Sequence, residues 1–343
     1  MSERSLVIQT SFIGDTILTT PLIAQLAERG PVDVIVTPAS APLLANNPAI
    51  DQLVVYDKRG ADRGILGVVR LARALRRRRY AAAYHAQGSM RSAALSLLAG
   101  IRRRVGFTTS AGRRLYTTRV SYIENDHHAT RLLRLAEADR GSALAAPRPR
   151  LYPSADDRRT VDALLDAAGW KNEPFIAVAP GSVWATKRWP YYAELARELT
   201  NRIVVIGSAA DGELASEIGR NAVGRVLDAT GKLSLLASAE LVSRAAAIIT
   251  NDSAPLHLAS AVGTPTVAIF GPTVPEFGFG PLASRSVVLG LSTLACRPCD
   301  RHGPQRCPLG HWRCMREITP RQVAAAVQSL ISGASLPLPT SSR

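Results

Sequence analysis

The eleven residues Pro180-Gly-Ser-Val-Trp-Ala-Thr-Lys-Arg-Trp-Pro190 place Gly181, Ser182, Thr186 and Lys187 directly after the apolar run 175–179 and directly before a helix-like segment. A strand that ends in Gly-Ser and hands over to a helix aims backbone N–H groups and a partial positive charge at whatever occupies the turn. Lys187 adds a full charge. Cations at a helix start oppose the dipole unless an anion binds beside them, so phosphate or diphosphate is the natural guest. A second turn, Thr250-Asn-Asp252-Ser253, again joins an apolar run to a helix that opens with Pro255 and contains His257. Capping is sufficient to explain Asp252 or Ser253, Pro255 suits a first helical turn, and His257 fits a satisfied core position. The next apolar run ends in Phe270-Gly-Pro-Thr273, a third glycine turn on the same edge. Several anion-competent turns on one sheet edge specify a site better than any one of them.

The first strand-like run leads through Thr10-Ser-Phe-Ile-Gly-Asp15-Thr into a helix without the three-glycine pattern of a dinucleotide site. Asp15 is either a favourable first-turn carboxylate or a carboxylate at the mouth of the sheet that can take a proton. Lys58 and Arg59 follow a later strand end, and a basic run, Arg70-x2-Arg73-x2-Arg76-Arg-Arg-Arg79, lies beyond them. Such a run is a solvated face or a binder of carboxylates and phosphates.

All four cysteines fall in Cys296-x2-Cys299-x7-Cys307-x6-Cys314, with His302 and His311 between them. One half has zinc-knuckle spacing and the other lacks it. Disulfides do not suit the cytosol, and free thiols without a metal are the expectation.

These residues need elements to hold them. Short β-branched runs alternate with helical patterns, which indicates βα units and parallel sheets. Strands are expected at 5–10, 32–37, 52–57, 81–86 and 103–107, then at 175–179, 202–207, 225–229, 247–251 and 264–271. Helices are expected at 16–29, 64–78, 90–99 and 129–138, with a last one at 318–332 capped by Thr319. Segment 145–153 carries three prolines and reads as a linker. The expectation is an α/β chain of two doubly wound, Rossmann-like domains, 1–150 and 151–333, facing a central cleft. Ligands of such sheets bind outside the carboxyl ends of the strands.

Composition supports a folded chain of this size: 343 residues, 46% hydrophobic and 20% charged. Of the net charge of +15, about +12 lies in residues 1–150, where 23 Lys and Arg face 11 Asp and Glu. A surface of that sign attracts polyanions. Nucleic acid is not the expected partner, because no RNA- or DNA-reading motif is present and only 5% of residues are aromatic. Gly, Pro or charge interrupts every apolar run, and the first residues lack the pattern of a signal peptide. The expected location is the cytosol, with charge-driven contact to a membrane surface.

Taken in order, Ser11-Phe-Ile-Gly-Asp15, Ala86-Gln-Gly88, Pro180-Gly-Ser-x-Trp-x-Thr-Lys-Arg-Trp-Pro190, Asn251-Asp-Ser-Ala-Pro-Leu-His257, Gly263-Thr-Pro-Thr and Phe270-Gly-Pro-Thr273 resemble the ADP-heptose:lipopolysaccharide heptosyltransferases of glycosyltransferase family 9. The Thr-Lys-Arg-Trp-Pro block is most similar to the heptosyltransferase II branch. The resemblance implies a GT-B fold with acceptor held by the N-terminal domain and nucleotide sugar by the C-terminal one. It further implies Asp15 as catalytic base and Lys187 on the donor diphosphate. Gly181, Ser182, Thr186, Asp252, Ser253 and His257 would line the donor site, with Asp211 or Glu213 meeting the ribose. Ala254 stands where family members often carry Gly. Lys58, Arg59, Gln87 and Arg91 are the acceptor-side candidates. The implied partners are ADP-heptose and a lipid A-core acceptor at the inner face of the inner membrane. No cofactor, metal or stable protein partner is implied. Two rivals remain: a GT-B transferase with another nucleotide sugar, and a non-catalytic polyanion binder.

Overall fold

The apolar runs form strands because β-branched residues fill a pleated surface that helices cover from both sides. The computed structural model describes residues 3–138 and 148–333. The chain divides after Tyr152 into two units. Residues 145–147 of the expected linker lie outside the described residues, and 148–153 carry no regular structure.

In the first unit the strands are β1 (Ser5–Ile8), β2 (Val32–Val36), β3 (Gln52–Val55), β4 (Ala82–His85), β5 (Arg103–Phe107) and β6 (Thr118–Val120). In the second they are β7 (Phe175–Ala179), β8 (Arg202–Val205), β9 (Val226–Asp228), β10 (Ala247–Asn251), β11 (Thr266–Ile269) and β12 (Ser286–Leu289). Each set forms one six-stranded sheet, ordered β3-β2-β1-β4-β5-β6 and β9-β8-β7-β10-β11-β12. All pairings are parallel, with Ser5 opposite both Val32 and Ala82, and Ala247 opposite Ile176. The two orders are the same Rossmann order, in which the winding reverses between the first and fourth strands. The switch points are therefore β1/β4 and β7/β10, where loops diverge and leave a crevice for ligand. The turns at 10–16, 86–88, 180–190 and 250–253 follow these four strands, and the third glycine turn, 270–273, follows β11 beside β10.

β1, β2, β4, β7 and β10 are buried along their whole length. In the second unit Val178, Ile249 and Val267 pack under the last helix, Pro320–Ser332, through Val323 and Val327, while Ala177, Ile248 and Leu241 fill the opposite face. Thr319 caps that helix in a capping box with Gln322. The edge strands β6 and β12 were not expected. Each is short and half exposed, so neither shows a full apolar run.

The first helix differs usefully from the expectation. It starts at Ile13 and stops at Leu18, before a second helix, Thr20–Ala27. The Thr19 hydroxyl donates to the Asp15 carbonyl at 2.7 Å. Asp15 consequently lies in the first turn, close to the end of β1. One arginine of the basic run turns inward. Arg78 meets the fully buried carboxylate of Asp33 at 3.2 Å, alongside Arg4 at 2.9 Å and the Tyr80 hydroxyl at 2.6 Å. No helix among the described residues is long and apolar enough to cross a membrane.

Candidate active site

At the second switch point the side chains converge on Asn251, the last residue of β10. Its amide donates to the Pro180 carbonyl at 2.8 Å, and its carbonyl oxygen accepts from the Trp189 amide at 3.2 Å and the Tyr192 hydroxyl at 3.1 Å. One buried side chain thus fixes both ends of the 180–189 turn. Lys187, 8% exposed, is held against Asp252, also 8% exposed, with Nζ 2.6 Å from Oδ2. The Thr273 hydroxyl donates to the same oxygen at 2.7 Å. An ammonium has three donors, and Asp252 takes one, so Lys187 retains capacity for an anion while its charge is held in place.

The capping explanation for this turn does not describe what the side chains do. The Asp252 carboxylate is occupied by Lys187 and Thr273, and Ser253, at the N-cap of the helix Ala254–Val262, makes no side-chain cap; its hydroxyl points to the Asn251 carbonyl at 3.4 Å. Both side chains belong to the turn rather than to the helix end. His257 is buried one turn further on, edge-on to Phe279 at 6.2 Å between ring centroids.

Thr186 is placed differently from its neighbours. It is buried, and its hydroxyl donates to the Pro304 carbonyl. The irregular segment after β12 packs on the turn through further contacts. Gln305 accepts from the Ala185 amide at 3.1 Å and donates to the Val183 carbonyl at 3.1 Å, and His302 stacks on Trp184 with centroids 6.1 Å apart. Thr186 therefore anchors the outer wall of the turn.

Asp211 accepts from the Ser208 amide and hydroxyl, both at 2.8 Å, in a capping box after β8. Its carboxylate rests against Gly181 and Gly207; a Cβ on Gly181 would lie 2.3 Å from Oδ1, and one on Gly207 2.7 Å from Oδ2. Glycine is favoured here by close approach rather than by backbone angle, since an added Cβ would have to push the Asp211 carboxylate aside. Glu213, the competing residue, is exposed in the next helix. Gly181→Ala is expected to displace Asp211 and to lower the melting temperature by several degrees, since clashes of this kind cost about 1–3 kcal/mol. Adding Asp211→Ala should recover most of the loss, and equal melting of the single and double variants would refute the contact.

At the first switch point Asp15 sits beside Ser11, whose hydroxyl lies 2.6 Å from Asp15 Oδ2 and 2.7 Å from Gln9 Oε1. His128 Nε2 lies 3.9 Å from Asp15 Oδ1. Burial holds His128 below the usual histidine range, against the pull of Asp15, with Arg131 adding to the lowering. Gln87, after β4, accepts from the Thr10 and Ser92 hydroxyls, each at 3.2 Å. Lys58 donates to the Thr10 carbonyl at 2.6 Å, and Arg91 donates to the Lys58 carbonyl at 3.3 Å. Burial, then Arg59 and Arg91, lowers the Lys58 pKa from the ordinary lysine value. The loops after β1, β3 and β4 are thus stitched together, and Arg59 stands exposed at their rim. Thr273, Asn251, Ser11 and His128 were not among the sequence candidates. Ser11, Asn251 and Thr273 had a signal, as residues of the quoted turn motifs, while His128 had none.

The four cysteines are free thiols, with Cys314 buried and the other three half-buried. Cys296 Sγ lies 3.7 Å from His311 Nε2. Among the described residues no three His, Cys, Asp or Glu side chains are grouped to hold a metal ion. Burial pushes the Cys314 thiol up to about 11.

Two parallel six-stranded Rossmann sheets, one in each unit, are the architecture of the GT-B glycosyltransferases. The family model described as glycosyltransferase family 9 (heptosyltransferase) matches residues 68–310. The chain belongs to this family and is a glycosyltransferase. It is 29% identical to lipopolysaccharide heptosyltransferase 2 of Salmonella typhimurium, covering 96% of this chain and 99% of the relative. Among solved structures, Escherichia coli ADP-heptose LPS heptosyltransferase II superposes with a TM-score of 0.78 at 26% identity, covering 96% of this chain and 99% of that one. A family 9 glycosyltransferase from Veillonella parvula shares the fold, with a TM-score of 0.86 at 23% identity over 97% of this chain and 98% of that one. The likeness to the heptosyltransferase II branch, read from the Thr-Lys-Arg-Trp-Pro block, agrees with these relatives.

Proposed function

We propose that the enzyme moves L-glycero-D-manno-heptose from ADP-heptose to the inner core of a Kdo-containing lipid A precursor, inverting the anomeric centre, at the cytoplasmic face of the inner membrane. The observation that carries the donor assignment is the buried Lys187–Asp252–Thr273 cluster at the β7/β10 switch point. In this reading the first unit takes the acceptor and the second takes the donor. Asp15 receives the proton of the acceptor hydroxyl as the new C–O bond forms. Lys187 and the N–H groups of the turns around Ser182 and Ser253 neutralise the negative charge that develops on the departing diphosphate. Asp211 meets the ribose, Asp252 orients Lys187, and Lys58, Arg59, Gln87 and Arg91 meet the acceptor's anionic sugars.

The test incubates the enzyme with ADP-heptose and a series of defined core truncations and follows each acceptor by mass. One truncation is expected to gain a single heptose, with ADP released. Consumption of a UDP- or GDP-sugar in place of ADP-heptose would shift the assignment to a neighbouring transferase. Salt-sensitive RNA binding without turnover of any donor would remove it altogether.

A further inference from the structure

Four exposed apolar side chains of the first unit lie on the edge that carries Asp15 and Gln87: Phe12 (55%), Ile65 (81%), Leu66 (86%) and Met90 (49%). Phe12 follows β1, Ile65 and Leu66 open the helix Gly64–Arg76 after β3, and Met90 opens the helix Met90–Leu98 after β4. The two helices pack side by side. Lys58 and Arg91 tie the underlying loops together through the bonds described above.

Around this apolar tip the charge has one sign. Residues 58–79 hold nine Lys and Arg and a single acid, Asp62, which is paired with Arg70. The helix buries Val68, Ala72 and Leu75 and turns Leu66, Arg70, Arg73 and Arg77 outward along one stripe. Two bare aliphatic residues at a helix start, backed by a stripe of guanidinium groups, match the boundary between acyl chains and phosphate headgroups.

We propose that this edge docks on an anionic bilayer, with Ile65 and Leu66 entering the headgroup–acyl boundary and Arg63, Arg70, Arg73 and Arg77 meeting lipid phosphates. The inference deepens the acceptor-side reading above and rests on it for its biological meaning. A second copy of the chain is a poorer occupant, because a two-fold contact sets the arginine stripe against itself. Nucleic acid gives no role to Ile65 and Leu66, which offer no stacking face.

The test is co-sedimentation of the full chain with vesicles of phosphatidylcholine alone and of phosphatidylcholine mixed with phosphatidylglycerol, with no donor or acceptor present. The wild type is expected to partition onto the anionic vesicles and to be released by salt. The double change Ile65→Glu with Leu66→Glu should weaken partitioning about tenfold or more, and Arg73→Glu with Arg77→Glu should do the same. Both variants should keep the wild-type melting temperature and the wild-type turnover of detergent-dispersed acceptor. Indifference of the wild type to lipid charge, or unchanged binding of the Glu variant, overturns the proposal. So does a dimer in sedimentation equilibrium that the Glu variant abolishes. Because the binding assay contains no substrate, failure of heptose transfer and failure of docking are read separately.

Discussion

Lys187→Ala is expected to lower kcat by about a hundredfold to a thousandfold, the range for loss of one preorganised donor to developing negative charge, with a smaller change in donor KM. The expectation follows from where the charge is needed. A bound nucleotide diphosphate already carries negative charge that several N–H donors and solvent share, whereas the charge appearing on its terminal oxygen as the glycosidic bond breaks is new. Lys187 is held by Asp252 at 2.6 Å on a turn that Asn251 and the segment around Pro304 fix at both ends, so its ammonium is in position before the reaction begins. The same variant leaves Asp252 in a largely buried position with Thr273 as its remaining partner there. Breaking a fully buried pair costs about 3–5 kcal/mol, and this partly accessible one should cost less. A lowered melting temperature is therefore expected alongside the kinetic defect. Lys187→Ala with Asp252→Asn should restore stability but not kcat, which separates the two effects. A variant with unchanged kcat and only a raised donor KM would show that Lys187 binds the ground state alone.

The strands that hold these residues were legible because they are buried on both faces: Phe175–Ala179 is a continuous apolar run, the stretch 247–250 is apolar and β-branched up to Asn251, and Val32–Val36 is broken only by the buried, ion-paired Asp33. The edge strands β6 and β12 have solvent on one side and are only three and four residues long, so their sequence carries little periodic signal. The site was legible to the same depth. Gly181 and Asp252 stand just past the ends of β7 and β10, which is a local property, whereas Lys187 lies further on, in the short 3-10 turn Ala185–Lys187. What each side chain touches depends on strand order. Thr273 reaches Asp252 because β11 lies beside β10, and His128 reaches the neighbourhood of Asp15 because the helix His128–Ala136, after β6, packs on the helices after β1. The hydroxyl of Thr186, beside Lys187, serves a segment more than a hundred residues away, at Pro304. Arg78 is hidden in a run of four arginines, and only the packing of Asp33 beneath it distinguishes it from its neighbours.

Asp15→Asn should reduce kcat by about a thousandfold, within the span attributed to a positioned general base, and leave donor affinity unchanged. Asparagine keeps the shape of the side chain and an oxygen for the Ser11 hydroxyl, so the helix start and the melting temperature should be preserved. The loss then measures charge and basicity alone. The surroundings favour a base of this kind. Its nearby imidazole, His128, 3.9 Å from Asp15, is held below the usual histidine range by burial. Asp15→Glu distinguishes position from chemistry. It retains the carboxylate but moves it by one methylene, and a loss comparable with that of Asn would mean that reach to the acceptor hydroxyl, rather than basicity by itself, limits the reaction. Retention of wild-type kcat by Asp15→Asn, with melting unchanged, would leave the carboxylate as no more than a favourable residue in a first helical turn.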